Sequence, residues 1–189
     1  MRPIRMIRHG RPASTWGDAD PDPGLDPAGA AQARGVAERL LALPEAERPS
    51  RVVSSPLRRC RETAQPLAEA LGVPVEIDSR VGEIPTPAAL DADARPGWLR
   101  QAFQGRWRDI RGDLDYVAWT RQVAEAVASH PGAAVFSHFV ALNAAVSVAT
   151  GDEAVAAFRP DHVSVTVFDV VDGALILVEK GQEASTQVL

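Results

Sequence analysis

Ile4-Arg5-Met6-Ile7-Arg8-His9-Gly10 is a short apolar-rich run that ends in a cation, an imidazole and a glycine. It predicts a strand over Ile4–Ile7 followed at once by a loop. Working outward, the same shape recurs. Arg51-Val52-Val53-Ser54 is a second short strand, and Val75-Glu76-Ile77-Asp78 a third. Ala133 to Ser137 is a fourth, of the fully buried type, and runs into His138.

Helical periods fill the gaps. Pro27 to Leu43 places Ala30, Ala33, Val36, Ala37, Leu40 and Leu41 at helical spacing, with Asp26 as N-cap and Pro27 in the first helical position. Ser55-Pro56 opens a second helix by the same logic, with Leu57, Cys60, Ala64, Leu67 and Leu71 on one side. Pro66 in its interior is expected to kink or split it, and Gly72 to stop it. Leu114–Ser129 and Val140–Thr150 are further helices. Val163, Val165 and Val167 alternate in a strand, Asp172-Gly173 marks a hairpin, and a last strand runs through Val178. Two stretches are irregular. Arg11–Asp26 reads as a long loop, and Ile84–Asp113, with Pro85, Pro87 and Pro96 among Trp98, Phe103 and Trp107, as a helical or lid-like insertion.

Strand and helix alternating about four times before a hairpin predict an α/β domain, a three-layer α/β/α sandwich around a mostly parallel central sheet. The 189 residues fit a single domain over 1–189, since domains run to about 100–200 residues. Apolar types at 46% and charged types at 24% exclude a disordered or low-complexity chain. No apolar run reaches the roughly 18 residues of a membrane span, and charge breaks the N-terminus before a signal-peptide core can form. A cytoplasmic protein without a membrane partner is the expectation. Cys60 is the only cysteine, so neither an internal disulfide nor a multi-cysteine zinc site can form. A net charge of −5 argues against nonspecific nucleic-acid binding.

In open α/β sheets ligands bind at the carboxyl ends of the strands. Here those ends lead into Arg8-His9, Ser54-Ser55 with Arg58-Arg59 one turn on, Arg80 and Glu83, and Ser137-His138. Such an inventory suits phosphoryl transfer without a metal or other cofactor. Arginine grips phosphate oxygens bidentately, helix N-termini add N–H donors, and a neutral imidazole can be the nucleophile. A carboxylic acid can protonate the leaving oxygen and then activate water.

These residues resemble the histidine phosphatase superfamily, also called phosphoglycerate mutase-like. Arg8-His9-Gly10 after a first strand is similar to its RHG signature. Leu25-Asp26-Pro27-Ala28-Gly29 with Gln32-Ala33 resembles its L-T-x-x-G-x-x-Q-A helix start, and Ser54 to Ala64 its S-S-x-L-x-R-A-x-x-T-A segment. Arg80-Val81-Gly82-Glu83 resembles its L-x-E segment, and Val135-Phe136-Ser137-His138 its V-S-H-G segment. The resemblance covers almost the whole chain. It implies a phosphoglycerate mutase-like fold and a phosphatase acting on a phosphomonoester. It makes His9 the nucleophile that becomes a phosphohistidine. Arg8, Arg59 and His138 would surround the phosphoryl oxygens, and Glu83 would be the general acid and base. Arg59 is preferred to Arg58 because it stands two residues after Leu57 and four before Thr63. Arg11 and Ser14, in the loop after the nucleophile, are candidate substrate contacts.

The chain departs from the pattern in places. Phe139 stands where the family usually has glycine, Ile84-Pro85 follows Glu83, and the mutase pattern E-S-x-W-N is replaced by Arg11-Pro12-Ala13-Ser14-Thr15-Trp16-Gly17. The implied partner is a phosphorylated small molecule. A mutase, a protein phosphohistidine phosphatase and a non-catalytic phospho-ligand binder are the alternatives. A metal hydrolase lacks its ligand spacing. His130, at a helix end, reads as structural, and His162 as a further histidine near the rim. No segment demands an oligomer, and a homodimer through an apolar helix or an edge strand is compatible with the sequence.

Overall fold

The computed structural model describes residues 2–14 and 20–185. Its centre is one sheet of β1 (Ile4–Arg8), β2 (Arg51–Ser54), β3 (Val75–Ile77), β4 (Ala133–Ser137), β5 (Val165–Val171) and β6 (Ala174–Glu179), in the order β3-β2-β4-β1-β5-β6. β1, β2, β3 and β4 pair in parallel, while β5 runs antiparallel to β1 and β6 to β5. The expected three-layer sandwich with a mostly parallel sheet is the observed architecture.

The layers follow from the two-residue period of the central strands. Ile7, Val52, Ala134 and Phe136 face α1 (Pro27–Leu41) and α2 (Arg58–Leu71), packing with Val36, Leu40, Cys60 and Leu67. Ile4, Met6, Val53, Ala133 and Val135 point the other way. There they meet Val123 and Val127 of α4 (Tyr116–Ala128) and Leu142 and Val146 of α5 (Phe139–Thr150). Every residue of β1 and β4 is buried, as a strand covered on both faces must be. Between β3 and α4 the chain makes short 3-10 turns and α3 (Arg95–Phe103), anchored through Leu99 and Trp107 in the α4–α5 layer. Among the described residues no helix is long and apolar enough to cross a membrane.

Local signals set several boundaries. Asp26 caps α1, its carboxylate accepting from Gly29 N at 2.6 Å, with Pro27 at the start. Gly72 and Gly151 end α2 and α5 in the left-handed conformation. Asp172 and Gly173 both have positive φ, the requirement of a tight hairpin turn.

Three expectations are corrected. α2 begins at Arg58, not at Ser55, because the Ser55 hydroxyl is engaged 2.8 Å from His138 Nε2. Asp22 substitutes for the cap by accepting from Arg58 N at 2.8 Å. Pro66 neither splits nor ends α2, since the buried face of Cys60, Thr63, Ala64, Leu67 and Ala68 holds the helix across the missing bond. Val163 is not in a strand. Its φ is 53°, and its N–H donates to the Arg8 carbonyl at 3.0 Å, so the chain turns over the end of β1 before β5 begins at Val165.

The loop leaving β1 passes directly over the first turn of α1. A Cβ at Gly10 would stand 2.8 Å from the Gly29 carbonyl oxygen, and one at Gly29 would run into the Arg11 backbone. Gly29→Ala must therefore displace residues 10–11. We expect it to destabilise the protein by about 1–3 kcal/mol in urea unfolding. Gly35→Ala on the same helix, where an added Cβ meets only Arg39 Nη1 at 3.8 Å, is the control and is expected to be neutral or stabilising.

Candidate active site

The registers of the parallel strands bring their carboxyl ends to one level. Arg8 lies beside Ser137 and Ser54 beside Phe136. The ladder continues past the strands, with His9 N donating to Ser137 O, Ser55 N to Phe136 O and Asp78 N to Ser54 O, each at 3.0 Å. His9 and His138 thus leave neighbouring strands side by side, their ring centroids 5.4 Å apart. Glu83 arrives from another direction. A 3-10 turn over Ser79–Val81 is drawn onto the end of β4 by Ser137 Oγ, which donates to Val81 O at 2.6 Å.

Arg59, in the first turn of α2, joins these pieces. Its Nε donates to His9 Nε2 at 3.2 Å, and its Nη2 stands 3.2 Å from His138 Nδ1 and 3.4 Å from Glu83 Oε2. Glu83 Oε2 lies 3.5 Å from His138 Nδ1, and Glu83 Oε1 accepts from Ile84 N. Arg8 approaches from the β5 side, its Nη1 donating to Pro160 O at 2.9 Å. Arg8 Nε is buried with no hydrogen-bond partner among the described residues.

The hydrogen bonds assign the tautomers. His9 Nδ1 lies 2.8 Å from the Gly10 carbonyl, which can only accept, so Nδ1 carries the proton and Nε2 the lone pair. Arg59 donates to His138 Nδ1, so the other ring nitrogen, Nε2, donates to Ser55 Oγ. Burial holds both imidazoles well below the usual histidine range, and the charges of Arg59 and Arg8 push the same way. Both rings are therefore neutral at neutral pH. Burial also lowers Arg8, to about 10, which leaves it cationic. The Cys60 thiol, 3.4 Å from His138 Nε2, is pushed up by burial and stays protonated. An unprotonated imidazole nitrogen, two guanidinium groups and a carboxyl can together attack phosphorus, stabilise equatorial oxygens and exchange a proton.

The structure brings Arg8, His9, Arg59, Glu83 and His138 together. Arg11 stands apart, its exposed guanidinium on Asp26. Ser14 is half-buried in the following loop, and its hydroxyl has no partner among the described residues. Arg80 does not join the cluster, because Asp78 holds it at 2.6 Å, and Arg58 turns outward to Glu62. His130 binds Asp78 at 2.9 Å on the far side of that turn. Trp16 falls outside the described residues. His162, by contrast, is at the site. Its Nδ1 donates to the His9 carbonyl at 3.0 Å, and its ring lies 5.7 Å from that of His9. Ser55, Thr63 and Ser137 are supports that residue type alone did not single out, although all three lie inside the quoted segments. Among the described residues no three His, Cys, Asp or Glu side chains are grouped to hold a metal ion.

A model of the histidine phosphatase superfamily (branch 1) matches residues 4–182. The chain belongs to this superfamily. Glucosyl-3-phosphoglycerate phosphatase of Mycobacterium tuberculosis is 34% identical over 143 residues, 69% of this chain and 62% of that protein. The chain thus matches less than two thirds of that relative's length. Among solved structures, phosphoserine phosphatase of Entamoeba histolytica in complex with 3-phosphoglyceric acid superposes with a TM-score of 0.73 at 20% identity, covering 96% of this chain and 98% of that one. Mycobacterial glucosyl-3-phosphoglycerate phosphatase gives 0.72 at 21% identity, covering 97% and 99%. These likenesses define the superfamily fold.

Two outcomes are expected from the site's geometry. Thr63 Oγ1 accepts from Gly10 N at 2.9 Å and donates to Arg59 O at 2.6 Å. Thr63→Val orphans a buried N–H and is expected to lose about 1–3 kcal/mol in chemical denaturation, while Thr63→Ser retains most of the stability. The depressed histidines also make stability pH-dependent. Their contribution is complete above the unfolded value of 6.5 and is lost as pH falls toward the folded values, because the unfolded chain takes up protons the native one refuses. Melting temperature should fall between pH 7 and pH 5, and less steeply in His138→Gln.

Proposed function

We propose that the protein hydrolyses a small-molecule phosphomonoester through a phosphohistidine on His9, without a metal. The observation that carries this reading is the state of the His9 ring, with Nδ1 fixed on the Gly10 carbonyl and an unprotonated Nε2 that accepts from Arg59 and faces Arg8 and His138. The Nε2 lone pair attacks phosphorus as the bond to the ester oxygen breaks. Glu83, in its acid form, gives its proton to that oxygen, and the alcohol leaves. Water then attacks the phosphohistidine and yields its proton to the Glu83 carboxylate. The P–N bond breaks, its electron pair returns to Nε2, and orthophosphate departs.

Arg8, Arg59 and His138 hold the equatorial oxygens through this sequence, where charge accumulates in the transition state. Arg59 Nε occupies the Nε2 lone pair in the free protein and transfers its hydrogen bond to a phosphoryl oxygen when substrate enters. The segment 84–113 acts as the lid of a single domain over 1–189. One observation supports this, the contact of Phe103 with Phe139 beside His138. Arg11 and Ser14, on the loop leaving His9, are the proposed substrate contacts, and Arg11 would have to leave Asp26 to reach a substrate. The relatives' names make phosphorylated glycerates and phosphoserine the first compounds to try. The reading implies a cytoplasmic enzyme with no nucleic-acid or membrane partner.

Phosphate release from phosphoserine, 3-phosphoglycerate, glucosyl-3-phosphoglycerate and a wider phosphomonoester panel, measured in EDTA, tests the proposal. Turnover should survive the chelator and fall at least about 1,000-fold in His9→Ala. Label from a radioactive substrate should be trapped on the wild type in an acid-labile, alkali-stable form. Unchanged turnover in His9→Ala, or loss of activity with EDTA alone, would refute it.

A further inference from the structure

We propose that Phe139 is a positioning residue for Arg8, holding the guanidinium by its ring face so that the N–H donors stay free for the phosphoryl group. The proposal rests on the reading that Arg8 grips that group. Phe139 opens α5 directly after His138 and is buried. The Arg8 guanidinium carbon lies 5.5 Å from the centre of its ring. The ring is itself braced by Phe103 of α3, at 5.2 Å between centroids and tilted by 47°.

The two arginines of the site are held by different means. Arg59 is fixed through hydrogen bonds that occupy Nε and Nη2. Among the described residues Arg8 makes one side-chain hydrogen bond, Nη1 to Pro160 O, and its Nε has no partner. One bond leaves a guanidinium free to swing about it. A carboxylate would stop the swing, but it would also consume donors and neutralise the charge that phosphate needs. An aromatic face does neither. It attracts the cation through its quadrupole, more strongly where water is excluded, and presents no lone pair to the N–H groups. Phe103 keeps that face from turning away, so the orientation of Arg8 depends on α3.

Orthophosphate affinity, measured by calorimetry at pH 7.5 and fixed ionic strength, tests this in a double-mutant cycle. Phe139→Leu is expected to weaken binding about 3- to 10-fold in the wild-type background and by less than about twofold beside Arg8→Gln, with circular dichroism confirming a folded chain. Should the leucine variant fail to fold, Phe139→Met carries the same expectations. Wild-type affinity in Phe139→Leu, or an equal loss in both backgrounds, would overturn the proposal. Wild-type protein that binds no orthophosphate would instead overturn the phosphoryl pocket itself, and this inference with it.

Discussion

The Arg59 guanidinium is the interaction on which the rest depends. One planar fork reaches the lone pair of His9, a ring nitrogen of His138 and the carboxylate of Glu83. Those three come from β1, β4 and the turn after β3, and share no sequence neighbourhood. Burying a cation is costly unless its donors are satisfied, and the start of α2 with the level strand ends lets Arg59 satisfy most of its own. Thr63, one helical turn on, ties the Arg59 carbonyl to the Gly10 backbone and locks the helix to the nucleophile's loop. The close meeting of Gly10 and Gly29 adds the remaining constraint, since only bare backbones fit there.

The electrostatics follow from the same arrangement. Two buried imidazoles beside two guanidinium groups resist taking up a second proton. Neutrality leaves each ring one N–H and one lone pair, which at His9 puts the lone pair on Nε2 and at His138 on Nδ1. The cost falls on folding, because two guanidinium groups leave water when the cavity forms. The superfamily fold supplies the compensation through apolar packing on both faces of the central strands.

Most of the fold is legible in the sequence because its signals are local. Asp26-Pro27, Gly72, Gly151 and Asp172-Gly173 act on their immediate neighbours, and apolar strands followed by polar residues mark the rim. The departures share one cause, a side chain or backbone group committed elsewhere in space. Ser55 reads as a cap until His138 claims its hydroxyl, and Val163 reads as strand until the Arg8 carbonyl turns it. Pro66 is overruled by burial of the helix face around it. The same holds at the site. The five residues that converge are strand-end or motif positions, whereas Arg11 and Arg80 are withdrawn by Asp26 and Asp78, partners whose geometry no spacing reveals. His162 carries little signal in sequence because its role is a single bond to the backbone of His9.

Pro160, which receives Arg8, is not self-supporting. It bridges to Glu183, Asp161 N donates to Gln182 O, and Ala184 N donates to Arg159 O. The stretch 182–184 is therefore a strap across the back of the Arg8 carbonyl partner. The carbonyl that receives Arg8 belongs to a residue 152 positions away in the chain, and that residue is held in turn by this backbone relay. A change confined to 182–184 would thus reach the guanidinium without touching any residue of the cluster around His9.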